Sequence, residues 1–408
     1  MDVVAAPRRL AADALRIFSG QTVWTAASVL AGVVIVRAVG PAGKGALAYA
    51  TTVVTLATMA LGGVTTAAMI AVAHRGVDRS AAERAALRFT GIAGTVIAVV
   101  LATIGVAVHS QRALVGSAAA VVPALLAGAV QIFLQYRGDV NRAVIVQQIA
   151  GTGVALTTAL AVIAGGGVVG AFACWVVATS IAVVVGMRAL RATSLRSVVA
   201  QGVIGATGTG ITLLNVAGYL NLTIDVYVVA MLRPASELGI YALAVASGEM
   251  LWQCNRALLW PALRSIAHLG HAEAAALAGR IFRSSIALVG GVALVAYVAA
   301  PVAIRLVYGE AFAPAGDVLR LLLPGIVAMA GEAALGSWIM VGLGRTRELL
   351  AIQTASTVLC AAICVAGLPR YGIAAAAFAT SITYCATLLA VAWLAVRKGF
   401  PSRYLIRA

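Results

Sequence analysis

Long apolar runs separated by short polar stretches organise this chain. Twelve runs are long enough to cross an apolar layer ~30 Å thick as helices: residues 17–39, 46–73, 89–108, 113–135, 143–164, 168–187, 203–232, 238–262, 286–304, 321–343, 350–368 and 372–396. In a bilayer core every backbone N–H and C=O needs an internal partner, so a helix is expected for each run. The expected fold class is therefore all-α, a polytopic membrane protein of about twelve transmembrane helices. The connections are short. On the expected outer side the longest, around Tyr308 to Asp317, has about a dozen residues, which leaves no room for an external catalytic domain. Three connections on the other side, 74–88, 188–202 and 264–285, are longer and basic. In the first of these, Ser80-Ala-Ala-Glu83 fits a capping box opening a short surface helix.

Polar groups interrupt the apolar pattern most densely between Asn221 and Arg264, which reads as two long helices joined at Arg233-Pro234-Ala235-Ser236-Glu237. Asn221, Asp225, Glu249, Asn255 and Arg256 all lie inside these helices. A charge near the bilayer centre costs about 2.5–3.5 kcal/mol on insertion scales, so such residues usually face a water-filled cavity or a partner. Asn221 and Asp225 are four apart and share a face, while Glu249, Trp252, Arg256 and Trp260 form one stripe. The pattern predicts that this hairpin walls a polar cavity. Arg256 is suited to phosphate oxygens because its guanidinium stays charged and forks; the competing reading is that it neutralises Glu249 or reaches the inner interface. Glu249, and at lower priority Asp225, can bind and release a proton or accept a sodium ion, or can serve as fixed structural partners. Trp252 and Trp260 can stack on sugar faces or anchor at an interface. Gln21, Thr25, Ser28 and Gly32 line one face of the first run, and Thr51, Thr55, Thr58, Gly62 and Thr66 one face of the second. Such stripes either face a cavity or let helices approach closely.

Composition sharpens the membrane reading. Of 408 residues, 62% are hydrophobic and 10% charged, and the mean hydropathy is +1.03. The net charge of +16 is no nucleic-acid signature, because the basic residues gather in loops between spans. With the N-terminus cytoplasmic, inner segments hold 21 arginines and lysines and outer loops hold 7, an asymmetry that places both termini inside. No cleavage-site pattern follows a short apolar core at the N-terminus, so no removed signal peptide is expected. The five cysteines (Cys174, Cys254, Cys360, Cys364, Cys385) lie in apolar stretches without metal-type spacing, so no metal site is expected. Gly43-Lys44 is followed by Gly45, which rules out a phosphate loop, and Gly205, Gly208 and Gly210 lie within a span, which rules out a dinucleotide fingerprint. The four histidines sit at span ends, so no enzyme is expected. A weak repeat relates Gly45 and Ala73-His74-Arg75-Gly76 to Gly239 and Ala267-His268-Leu269-Gly270, both at an offset of 194 residues. It suggests two six-helix lobes, 1–200 and 201–408, in the manner of many transporters.

Several stretches together resemble the polysaccharide flippases of the multidrug/oligosaccharidyl-lipid/polysaccharide exporter superfamily, which move lipid-linked oligosaccharides across the bacterial inner membrane. They are Arg37-Ala-Val-Gly-Pro-Ala-Gly-Lys-Gly-Ala-Leu-Ala-Tyr49, Asp225 with Gly239-Ile-Tyr241 and Glu249, and Tyr308-Gly-Glu-Ala-Phe-Ala-Pro-Ala315 running on to Leu321-Leu-Leu-Pro324. Gly342-Leu-Gly-Arg345 and Pro369-Arg-Tyr-Gly-Ile373 complete the set, in order along nearly the whole chain. The resemblance implies an inner-membrane flippase with a cationic central cavity, working by alternating access on a proton or sodium gradient and without an organic cofactor. The partners it implies are the bilayer, a polyprenyl-linked oligosaccharide cargo and other polysaccharide-assembly proteins, with no nucleic acid. Arg256 and Arg37 would then hold phosphates, and Gln21, Thr25, Asn221, Asn255 and Trp252 would meet the sugars. Arg256 is the one clear intramembrane arginine, fewer positive groups than a pyrophosphate cargo ordinarily wants. The rival readings are a multidrug or metabolite cation antiporter of the same fold, which needs an acidic pocket, a polysaccharide polymerase or ligase, which needs a long catalytic outer loop, and a bare scaffold, which leaves Glu249 and Arg256 unexplained.

Overall fold

The computed structural model describes residues 5–75, 78–108, 113–190 and 200–406. The side chains of residues 5–25, 200–211 and several between 253 and 268 lie outside that description. Among the described residues the chain is helical, with no strand. Helices α1 (residues 5–39) and α2 (residues 41–75) run on through a single bend, because Gly40 adopts φ +67° and breaks the helical path. Glycine reaches that region without a Cβ clash, and Pro41 then opens α2 with no N–H left over. There follow α3 (Arg79–Ala107), α4 (Ala113–Tyr136), α5 (Val140–Gln148, continuing to Ile163 through a π turn at Ile149–Gly153) and α6 (Gly167–Ala189). The second half holds α7 (Ala200–Leu232), α8 (Ala235–His268), α9 (His271–Tyr308), α10 (Pro314–Ser337, extended by a π turn at Trp338–Gly342), α11 (Thr346–Tyr371), α12 (Ile373–Arg397) and a short α13 (Arg403–Ile406). Ten described segments have the length and hydropathy of membrane spans, one of them the bent α1–α2 rod. At 34 residues, α8 is also long enough, about 51 Å at 1.5 Å per residue.

The chain packs into two compact units. One comprises Met1–Val39 and Tyr49–Val216, the other Gly40–Ala48 and Ala217–Ala408. In the first unit α4 is central, packed by α3, α5 and α6, and Val130, Phe133 and Leu134 sit buried in its core. In the second, α10 takes that place against α8, α9 and α12. Lipid tails are as apolar as leucine, so close approach and polar ties must hold these helices together. One such tie sits at Pro324 of α10. Proline removes a helical N–H and disturbs the ladder around it. There the Ser381 hydroxyl of α12 inserts, donating to the Leu321 carbonyl at 2.5 Å and accepting from the Gly325 N–H at 3.3 Å.

The start of α2 and the start of α8 cross inside the second unit with no side chain between them. A Cβ on Gly45 would lie 1.9 Å from the Ala235 carbonyl oxygen, and one on Gly239 would lie 1.9 Å from the Pro41 carbonyl oxygen. Gly45 and Gly239 stand 194 residues apart, and each leaves room for the other segment's backbone at this crossing.

The expected capping box at Ser80 is corrected. Asp78 is the N-cap of α3, accepting from the Ala81 N–H at 2.8 Å and from the Ser80 hydroxyl, and these donors hold its carboxyl below the usual range. Glu83 is instead buried and paired with Arg137 of the α4–α5 turn, which also donates to the Leu190 carbonyl. A buried carboxylate beside a guanidinium gains more from that pair than from a backbone cap. The α1–α2 connection also differs from expectation, since Lys44, counted there as a loop residue, lies within α2.

Candidate functional site

The hairpin of α7 and α8, with α10, α11 and α12, encloses two adjoining cavities in the second unit. One, of about 250 Å³, is lined by Gly218, Asn221, Leu222, Trp252, Met329, Glu332, Gln353, Tyr384 and Thr387. The other, of about 230 Å³, is lined by Leu222, Asp225, Val245, Glu249, Trp252, Leu322, Ile326, Met329, Thr380 and Tyr384. Leu222, Trp252, Met329 and Tyr384 belong to both walls. Helical spacing puts Asn221 and Asp225 on one face, and that face meets one cavity at each of them.

Asp225 is 2% exposed and its carboxylate is surrounded by donors. Tyr241 donates its hydroxyl to Oδ2, Thr380 donates to the same oxygen at 2.8 Å, and the Val226 N–H donates to Oδ1 at 2.8 Å. A buried carboxylate without donors would be costly, and two hydroxyls with one amide offset that cost without any counter-charge. Glu249 is exposed, lines the second cavity and interacts electrostatically with Lys44 of α2. Trp252, half-buried, walls both cavities. Asn255 is fully buried; its amide donates to the Ala330 carbonyl at 3.3 Å, while its Oδ1 has no hydrogen-bond partner. Asn221 Oδ1 lies 3.3 Å from the Thr357 hydroxyl. Arg37 is exposed on α1. The side chains of Gln21, Thr25, Arg256 and Trp260 lie outside the described residues.

Glu332 was not among the residues singled out from the sequence. It sits inside α10 on the wall of the 250 Å³ cavity. Among the described residues no hydrogen bond or ion pair reaches its carboxylate, and the residue is half-buried. The signal was present, since a lone acid in the apolar run 321–343 meets the same criterion that drew attention to Asp225. Tyr241, Thr380 and Tyr384 carried no such signal. Tyr384 stands on the wall shared by the two cavities that Asp225, Glu249 and Glu332 line. Thr380 is 155 positions from Asp225, a distance that no local pattern spans.

The first unit has a cavity of its own, about 190 Å³, lined by Thr58, Gly62, Thr65, Thr66, Thr90 and Asn215 among apolar neighbours. Of the threonine stripe of α2, Thr58, Gly62 and Thr66 line this cavity, whereas Thr51 and Thr55 are not among its lining residues. Two of its hydroxyls also bond back into the helix, Thr58 to the Val54 carbonyl at 2.9 Å and Thr66 to that of Gly62 at 3.2 Å. No charged residue is among those lining residues.

Ten described segments are long and apolar enough to cross a membrane, and the fold they build is shared with solved structures of low identity. The chain is similar over 96% of its length, and 89% of the other chain's, to a lipid II flippase, MurJ, in an inward closed conformation, with a TM-score of 0.81 and 9% identity. It is similar to an inward-facing multidrug resistance MATE family transporter of the MOP superfamily over 94% of this chain and 96% of that one (TM-score 0.71, 14% identity). A MATE transporter of Vibrio cholerae matches 96% of this chain with 95% of its own (TM-score 0.52, 17% identity). Identities this low carry the fold and nothing finer. No family model matches the chain, and no curated protein matches it.

Proposed function

We propose that the chain is a flippase that carries a lipid-linked oligosaccharide, the repeat unit of a polysaccharide, across a bacterial inner membrane by ion-coupled alternating access. The observation that most supports this reading is the fold shared along almost the entire chain with a lipid II flippase. The basic asymmetry of the loops supports cytoplasmic placement of both termini. In this scheme the polyprenyl tail stays in lipid while the polar head enters the protein. Arg256 and Arg37 hold its phosphates, Gln21, Thr25, Asn221 and Asn255 bond its hydroxyls, and Trp252 stacks on a ring. Hydroxyls then move from water to protein partners and never cross bare hydrocarbon. Glu249, exposed and within electrostatic reach of Lys44, is the group placed to exchange a proton or sodium ion. Asp225 takes part in exchange once Tyr241 and Thr380 release it.

A second reading, a cation antiporter of the same fold, draws support from the acids on the cavity walls of the second unit. The two are separated by reconstituting the purified chain with a fluorescent polyprenyl-pyrophosphate oligosaccharide and, in parallel, with a lipophilic cation. The flippase reading expects the sugar to become accessible to an impermeant lectin on the far side under an imposed ion gradient. Gradient-driven cation movement without sugar translocation would replace it with the antiporter. Arg256 is tested in the same vesicles. Arg256→Lys, which loses the planar fork, should weaken translocation, and Arg256→Ala should abolish it even when combined with Glu249→Gln. Recovery in that double variant would make the pair structural and move phosphate binding to Arg37.

A further inference from the structure

The flippase scheme uses Asn221 and Trp252 of the cavity around Glu332 and leaves Glu332, Gln353 and Thr387 of the same wall without a role. Among the described residues the Glu332 carboxylate is the one charged group lining that cavity, and no hydrogen bond or ion pair reaches it. Two further acids, Asp225 and Glu249, line the adjoining cavity, which shares Tyr384 with this one. The cation identified nearby, Lys44, acts on Glu249. Asp225 already has its three donors. An unpaired carboxylate so deep in a unit is expensive unless a cation reaches it.

The rest of the wall indicates which cation. Trp252 and Tyr384 offer aromatic side chains, which attract organic ammonium groups over their faces. Asn221, Gln353 and Thr387 offer amide and hydroxyl groups able to both donate and accept. Leu222, Met329 and Gly218 complete an apolar remainder. A bare inorganic ion needs a tight oxygen shell, and among the described residues no three Asp, Glu, His or Cys side chains converge as a metal site. A volume of about 250 Å³ suits something the size of one sugar ring. Carboxylate, aromatic wall and hydroxyl-bonding groups together match a ring bearing hydroxyls and a protonated amine.

We propose that Glu332 is the anchor of a subsite for the free ammonium group of an amino sugar, with Asn221, Gln353 and Thr387 bonding its hydroxyls and Trp252 or Tyr384 against its ring. The proposal rests on the flippase reading only in assigning that sugar to the lipid-linked cargo. It also accounts for the scarcity of intramembrane arginines, since a head group carrying its own positive charge needs fewer cations to neutralise its phosphates.

The test uses the full chain in lipid nanodiscs at mildly acidic pH, with three soluble probes: glucosamine, N-acetylglucosamine and glucose. Binding is read from thermal stabilisation and tryptophan fluorescence. Glucosamine should bind saturably, and the two uncharged sugars about tenfold more weakly or worse, the loss expected when a charge-assisted hydrogen bond is removed. Glu332→Gln, nearly the same shape, should reduce glucosamine binding by about tenfold or more without altering its preference among neutral sugars, and Glu332→Asp should fall between. Gln353→Ala should weaken all three probes. Equal binding of the three sugars, or glucosamine binding unchanged in Glu332→Gln, would overturn the subsite. So would a Glu332-dependent response to sodium chloride that glucosamine fails to reproduce, which would make the site one for an inorganic cation. Flipping of lipid-linked oligosaccharides with and without a free amine is measured separately. Glu332-dependent glucosamine binding without any flipping supports the subsite and removes the flippase reading; flipping without glucosamine binding overturns the subsite alone.

Discussion

The two units solve the same architectural problem with opposite uses of charge. In the first, the carboxylate of Glu83 is locked against Arg137, away from a cavity whose described walls are threonine, asparagine, glycine and apolar residues. In the second, Glu332 and Glu249 line the cavities themselves, and Asp225 is held by neutral hydroxyls in place of a cation. The central helices show the same contrast. In the first unit α4 presents Leu125, Gly128, Ala129 and Ile132 to the cavity, while α10 of the second presents Met329 and Glu332. A charge fixed in an ion pair supports a fold, whereas one left open to a cavity can change partners. On the proposed reading, the acids open to cavities in the second unit are the candidates for exchange, and Glu83 of the first unit is structural.

The largest effect expected from breaking this contrast is in the first unit. Glu83→Ala strands Arg137, and loss of one partner from a buried pair costs about 3–5 kcal/mol; because 22% of the Arg137 side chain stays exposed, the lower end of that range is expected. Thermal unfolding in detergent should show it as a clear fall in Tm, and Glu83→Leu with Arg137→Met should restore most of the loss. Next comes the hydroxyl shell of Asp225. Asp225→Ala leaves the Tyr241 and Thr380 hydroxyls without their acceptor, about 1–3 kcal/mol for each buried group left unpaired, while Asp225→Asn keeps an acceptor oxygen and should cost less. Unfolding midpoints of the two variants side by side would show the difference, and equal midpoints would mean that the shell adds no stability. The smallest effect belongs to the surface pairs of Glu348 with Arg345, at 2.7 Å, and Lys398, at 3.1 Å. Those cations hold the Glu348 carboxyl below the usual glutamate range. Its contribution is thus present above the unfolded-state pKa and is lost as pH falls through the lower folded-state value. Glu348→Gln should leave Tm nearly unchanged at neutral pH, with any small difference vanishing in acid and in high salt.

Much of the fold was legible because its determinants are local. A run of apolar residues long enough to span a bilayer leaves helix as the one backbone solution, so the helices followed from hydropathy alone. Helix boundaries set by single residues were harder. The bend at Gly40 and Pro41 replaced an expected loop, and Asp78 displaced Ser80 as a cap because its carboxylate reaches the Ala81 amide while Glu83 is drawn to Arg137. The site was legible in part. Asn221, Asp225, Glu249 and Trp252 stood out as polar or aromatic groups in apolar helices and do line the cavities. Gln353, Thr380, Tyr384 and Thr387 come from α11 and α12, and only packing brings them there. At Gly45 and Gly239, which the 194-residue offset relates, a side chain on either would strike the other segment's backbone.

The central claim, that exchangeable charge resides in the second unit, is tested most directly by gradient-driven flipping in proteoliposomes for two variants of similar shape change. Glu249→Gln removes a cavity charge from the second unit, and Thr58→Val removes a cavity hydroxyl from the first. The account predicts that Glu249→Gln, though folded and inserted, loses all response to an imposed proton or sodium gradient, while Thr58→Val keeps the gradient response of the unmodified chain. Full gradient-driven flipping by Glu249→Gln, together with loss of the response in Thr58→Val, would contradict it.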